Sequence, residues 1–283
     1  YSYYSDPPVR ERLHPNLVVR YVPSQADGWK GWQAAGARRV YWRPNNLGGG
    51  YRTGALSPQA RETADTMRYL AANGMLATDM DSVFHNWATQ GLHYYTAARL
   101  NWDPSLNFDA LLQDYCQTGF GAGAEPVKRY FLLAEQGVKP RKAGKRSTFP
   151  LIQPETLTAM RGELVAAAKA TADDPASHQR VAFLRAGFEF TAVSAEAHRL
   201  AEAETRPAPA AVNAVMERRW LMMRAIAQQH PLAVNVLVVA ANDAPLNAAL
   251  GWKGPSALAR NGRLQLPADD NWLNEDQSAT RKK

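Results

Sequence analysis

Hydrophobic residues change their period about a third of the way along the chain. In the first eighty residues they fall in short β-rich runs: NLVVRYV at 16–22, RRVYWR at 38–43 and MLATDM at 75–80. Such runs, rich in branched and aromatic residues and bounded by turn formers, predict strands. A Trp-rich segment, 28–36, separates the first two. The second and third are separated by a Gly-rich loop, 45–54, and then by a helical pattern. That pattern opens at Ser57-Pro58, a good pairing of cap and first helical residue, carries Ala60, Ala64, Met67, Tyr69, Leu70 and Ala71, and stops at Asn73-Gly74. Strands alternating with helical segments predict parallel β/α units.

Beyond residue 80 the helical period takes over. Helices are predicted at 89–100, ended by Asp103-Pro104, at 107–117 with Leu111, Leu112 and Tyr115, and at 125–135. The Pro, Gly and charge content of 138–150 predicts a linker. Three long amphipathic helices follow at 154–171, 178–204 and 210–229, separated by Asp173-Asp174-Pro175 and by Arg206-Pro207-Ala208-Pro209, and these predict a bundle. The apolar run 234–241 is too short to type by period alone, and the last ~20 residues are polar enough to fray. The expected fold class is therefore α/β then all-α: a β/α domain over 1–137, a linker over 138–150 and a helical domain over 151–283. Three β/α units neither close a barrel nor form a well-covered open sheet. With no initiator Met and an opening that reads as the end of a strand, the expectation is a piece of a larger protein.

Composition narrows the function classes. A chain of 283 residues, 46% hydrophobic, supports one large core or two smaller ones. No apolar run reaches the ~18 residues that span a bilayer, so no membrane partner is expected. Cys116 is the single cysteine, which excludes a disulfide framework and a Cys-based metal site; with Leu111, Leu112 and Tyr115 around it, it reads as a buried helical thiol. The net charge of +7 is diffuse. Its dense runs, KPRKAGKR at 139–146 and Arg281-Lys282-Lys283, lack interleaved aromatics and suit a solvated linker and tail better than a nucleic-acid face.

Candidate chemistry gathers in LATDMDSVFHNWATQGLHYYTAARLNWDP, 76–104. Asp79 and Asp81, two apart at a strand end, share one side of an extended segment. A glycosidase with two protein carboxylates needs them facing each other across the scissile bond. Two acids on one strand instead favour binding of hydroxyls, and the competing assignment is a turn cap or an ion pair with Arg43. Trp42 and Arg43 end the second strand just before Asn45, as a stacking platform with a charged contact or as core filler with its salt-bridged neighbour. Asn86 and Trp87 form a candidate wall in the loop after the third strand, Asn86 alternatively capping the helix. Tyr4 completes the substrate-binding candidates. His85 and His93 are eight residues apart, outside metal spacing, and no metal or cofactor is expected. Gly48-Gly49-Gly50 lacks the Lys-Ser/Thr of a phosphate loop and reads as a flexible loop bearing Tyr51. Tyr94, Tyr95, Trp102 and Tyr115 follow helical spacing and are assigned to core, as are Met222 and Met223.

An ordered set of residues resembles a known group. Tyr1 and Tyr4 with Pro7-Pro8, His14 to Val19 and Trp42 form its first part. Gly74, Asp79, Trp87, Gly91 to Tyr95, Arg99 to Pro104, Tyr115 and Phe120-Gly121 form the second. Together they resemble bacterial α-glucuronidase-like proteins long filed as a domain of unknown function, part of which is glycoside hydrolase family 163, endo-β-N-acetylglucosaminidases acting on N-glycans. The resemblance covers roughly 1–135. It implies the C-terminal part of a (β/α)8 TIM barrel, about strands six to eight, followed by a helical domain. It also implies a complex oligosaccharide or polysaccharide substrate containing N-acetylhexosamine, and a secreted or periplasmic parent. The catalytic carboxylate pair, carried after strand four in hexosaminidases that use the substrate's own acetamide, would lie upstream of residue 1. A non-catalytic carbohydrate-binding protein and a uronic-acid-acting glycosidase with Arg43 reading the carboxylate remain the alternatives.

Overall fold

The computed structural model describes residues 6–23, 26–44, 53–80, 83–137, 152–256 and 260. Three short strands, β1 (Val18–Tyr21), β2 (Arg39–Trp42) and β3 (Met75–Thr78), form a parallel sheet in the order β1-β2-β3. Helix α1 (Asp27–Ala34) connects the first two strands, and α2 (Ala60–Ala72) connects the second and third. The predicted Trp-rich segment is thus α1, with Trp29 fully buried and its indole N–H donating to the Asn73 carbonyl at 3.1 Å. Helix α2 starts later than Ser57-Pro58 suggests: Gln59 is its cap and makes no side-chain capping bond. Ser57 is instead buried among loop and helix residues.

The helical continuation is α3 (Trp87–Trp102), α4 (Phe108–Phe120), α5 (Ala124–Gly137), α6 (Pro154–Ala170), α7 (Pro175–Ala201) and α8 (Pro209–Gln229), followed by the short α9 (Val236–Asn242) and α10 (Ala244–Leu250). Several starts are fixed by side chains. Asn107 Oδ1 accepts from Asp109 N (2.8 Å) and Ala110 N (3.3 Å) at α4. Asp174 caps α7 through Ala176 N and Ser177 N. Asn235 caps α9 through Val238 N at 3.2 Å, which types the ambiguous apolar run as helix. The segment predicted as a linker, 138–150, lies outside the described residues, as do residues 45–52 of the Gly-rich loop, Tyr51 included, and the basic tail.

One hydrophobic cluster runs from Tyr21 and Trp29 through α2 and α4–α6 to Val181, Leu184 and Phe188 of α7. The sheet and the helices through α7 therefore share one hydrophobic cluster. Two smaller clusters hold α8–α10 against α7. Cys116 is buried, and burial pushes its thiol up to about 12. Trp102 departs from its assignment to the core. It is 91% exposed, because α3 ends there and the chain turns away at Asp103-Pro104.

Candidate functional site

The sheet has two unlike faces. By the two-residue period of a strand, Val19, Tyr21, Val40 and Trp42 point to the side covered by α1 and α2, and all are buried or half-buried. Val18, Arg20, Arg39 and Tyr41 point to the other side, where no described element covers them. Val18 is 47% exposed, and Leu76, at the register shift between β2 and β3, is 60% exposed. Beyond the strand ends the ladder continues for one step: Arg43 N donates to Tyr21 O (2.8 Å) and Asp79 N to Trp42 O (3.1 Å). This places Arg43 and Asp79 side by side on the open face at the C-terminal end of the strands.

Arg43 and Asp79 are paired. The guanidinium Nε stands 3.1 Å from one carboxylate oxygen of Asp79 and 3.3 Å from the other. Their side chains are 23% and 45% exposed, so solvent screens the pair and it is worth ~1 kcal/mol at most. Of the alternatives weighed for Asp79, the ion pair is the one realised here. The Asp79 side chain stays partly exposed, although its Oδ1 is itself buried and makes no hydrogen bond.

Two expected contact residues are interior. Trp42 is completely buried and its indole N–H donates to the Pro23 carbonyl at 3.0 Å, so its ring faces the helices and cannot stack on a ligand at the open face. Adjacent strand residues point to opposite faces, which is why Trp42 and Arg43 cannot serve one ligand. Asn86 is also fully buried. It neither lines a wall nor caps α3 with its side chain; its Oδ1 accepts from Asn235 N at 2.8 Å. Tyr4, Asn45 and Asp81 lie outside the described residues. The sequence candidates brought together are therefore Arg43 and Asp79. Trp87, 42% exposed at the first position of α3, remains available to solvent.

The loop before α3 is held from two directions. Tyr94, one turn and more along α3, meets Trp87 edge-on with ring centroids 4.9 Å apart. Burial pushes its phenol up to about 12, partly offset by hydrogen bonds from the backbone of Asn86 and Phe84. From the far end of the chain, the 230–235 segment donates and accepts across the same loop: Trp87 N to Leu232 O (3.1 Å), Ala88 N to Ala233 O (3.0 Å), and Asn235 Nδ2 to Phe84 O (3.0 Å). His85, between them, adopts a left-handed backbone conformation with φ 59°, an uncommon state for a residue with a side chain that neighbouring structure must hold in place. The first amides of α3 are consumed by carbonyls, so this helix end offers no cradle for an anion.

The cavities lie elsewhere. A small, partly open cavity of about 30 Å³, room for one or two waters, sits between α2, α3, α4 and α5 beside His93. The His93 ring is buried, with Nε2 2.7 Å from the Thr63 hydroxyl, and desolvation drives its pKa down to about 3. Outside it runs a groove of about 420 Å³ bordered by Asp27, Lys30, Glu62 and Asp65. Arg61 separates the two, held by Glu135 and, at 2.8 Å, by Asp109. Both are lined by residues of the helical side of the sheet, the groove by the first turns of α1 and α2. No helix among the described residues is long and apolar enough to cross a membrane.

Against known proteins, no curated protein and no solved structure matches this chain. Residues 1–132, which hold the three strands and the helices from α1 into α5, match the family model described as a domain of unknown function (DUF4838).

Proposed function

We propose that this chain is part of a glycoside hydrolase acting on complex glycans that contain N-acetylhexosamine. In this reading residues 1–137 supply about strands six to eight of a (β/α)8 barrel, and the acid/base carboxylates lie outside residues 1–283. The observation that carries it is the one-sided sheet. Parallel strands are found with both faces covered, yet here helices cover one face while the other bears Arg20, Arg39, Tyr41 and the Arg43–Asp79 pair. In a barrel this second face is the interior, and its C-terminal rim is where substrates bind. Arg43 and Asp79 would then orient hydroxyls, and Trp87 would offer a ring face to a sugar. Binding energy from such contacts is spent on positioning the reacting sugar rather than on proton transfer.

The engagement of Arg43 with Asp79 weighs against the uronic-acid alternative, in which the guanidinium would hold a substrate carboxylate. The test compares 1–283 with a polypeptide extended upstream of Tyr1, using a chitobiose-core glycan and an aryl N-acetylglucosaminide. Hydrolysis by the extended protein and none by 1–283 is the expected pattern. Turnover by 1–283 alone would put the acid/base groups inside this chain and overturn the assignment. Glycan binding without turnover in the extended protein would favour the non-catalytic carbohydrate-binding alternative.

A further inference from the structure

Two segments about 150 residues apart in sequence meet at the loop after β3. Four hydrogen bonds join 84–88 to 232–235: Trp87 N to Leu232 O, Ala88 N to Ala233 O, Asn235 N to Asn86 Oδ1 and Asn235 Nδ2 to Phe84 O, all between 2.8 and 3.1 Å. Asn235 makes two of them, one through its backbone and one through its amide, while its Oδ1 caps α9. Apolar packing continues the seam, with Ala88 of α3 clustering with Ala233, Val234 and Val239. The loop after β2 is tied to the same place. Thr89 Oγ1 donates to the Gly54 carbonyl at 3.0 Å, and a side chain at Gly54 (φ 66°) would come within 2.5 Å of Val234 and 2.7 Å of Val239. Residues 84–88 and Gly54, from the two strand-end loops, therefore both meet residues 232–239, the end of the α8–α9 connection and the first turn of α9.

What this seam presents outward is Trp87, with Leu232 exposed beside the hydrogen bond that joins their backbones. The Tyr94 ring supports Trp87 edge-on, leaving the indole fixed rather than free to rotate away. We propose that the 230–235 segment is a positioning element for carbohydrate binding, with Asn235 holding Trp87 as a stacking platform for an N-acetylhexosamine ring at the strand-end rim. This rests on the glycan reading above. It adds that the helical region takes part in recognition: Asn235 is a positioning residue that acts through Trp87, and Leu232 borders the same subsite.

Asn235→Asp separates the two roles of this side chain. An aspartate keeps the oxygen that caps α9, as good a cap as asparagine, but loses the donor to Phe84 and sets a carboxylate against that carbonyl. The full chain 1–283 is titrated with triacetylchitotriose by ligand-observed NMR, and amide hydrogen exchange is followed at Trp87 and Ala88. Wild type is expected to bind, Trp87→Ala to lose binding about tenfold or more, and Asn235→Asp to weaken it several-fold while exchange at the two amides accelerates. In the Trp87→Ala background Asn235→Asp should have no further effect on binding, because its contribution runs through that ring. Equal losses in both backgrounds, or unchanged exchange in Asn235→Asp, would overturn the positioning role. Binding by wild type that Trp87→Ala leaves unchanged, or absence of binding by wild type with exchange still accelerated in Asn235→Asp, would overturn the sugar platform while leaving the clamp. The glycan reading itself falls only if the upstream-extended protein also fails to bind or hydrolyse the glycan.

Discussion

The sheet and the helical stack use their apolar residues to opposite ends. Around Phe188, Leu164 and Met160 the helices close on themselves; these side chains are buried on all sides, and Asn107 and Asp174 satisfy helix starts. The sheet is finished on the face that meets α1 and α2, and unfinished on the face that carries Val18, Arg20, Arg39 and Tyr41. A scaffold can afford no unsatisfied surface, whereas a face that awaits other strands or a ligand must keep some. On the glycan reading proposed above, the contrast assigns stability to one region and recognition to the other.

Deleting a core side chain should break the scaffold first. Phe188→Ala removes a fully buried ring packed edge-on to Tyr130 and should cost about 3–5 kcal/mol in urea unfolding. A loss below about 1 kcal/mol would mean the helical region is loosely packed. Acid should act on the same region. His93 has its pKa lowered by burial to about 3, so the unfolded chain binds more protons between that value and the free-histidine value near 6.5. Stability contributed by neutral His93 is thus present above about pH 6.5 and lost as pH falls, by up to about 1.4 kcal/mol per pH unit. Unfolding measured from pH 7 to 4 should show a shallower slope in His93→Leu; an unchanged slope would show that the ring is accessible to protons in the folded state.

Smaller effects sharpen the contrast. Asn107→Ala, which removes the α4 cap, should cost about 1 kcal/mol, measurable as a lowered urea midpoint with an unchanged m-value. On the open face, Leu76→Ser and Val18→Ser should each change the stability of 1–283 by no more than about 0.5 kcal/mol, as exposed substitutions do. Losses there comparable to Phe188→Ala would mean that this face is covered in the isolated chain.

Much of the architecture was legible because it is local. The three strands and the helices from α3 to α8 fall within a few residues of the runs that predict them, since periodicity records which face is buried. Asn235 ahead of an apolar run was an available cap signal that would have typed α9 as a helix. The burial of Trp42 was legible too, through the alternation that sets it opposite Arg43. The inward turn of Asn86 was not, because its partner lies 149 residues away and nothing in the neighbouring sequence anticipates it. Trp102 shows the converse error: helical spacing identifies a face, but the last turn of α3 extends past what that face packs against.

The central claim is that Asp79, on the open face at the strand ends, contacts a sugar. It is tested most directly by kcat/KM for Asp79→Asn and His85→Ala in the upstream-extended protein, on the chitobiose-core substrate, with thermal unfolding as the folding control. A carboxylate that binds hydroxyls makes charge-assisted hydrogen bonds worth roughly 1.5–3 kcal/mol. Asp79→Asn should therefore lose about ten- to a hundred-fold in kcat/KM at unchanged Tm, and His85→Ala clearly less. A near-wild-type rate for Asp79→Asn at equal stability, or a larger loss for His85→Ala, would contradict the claim and leave the Arg43–Asp79 pair a structural contact.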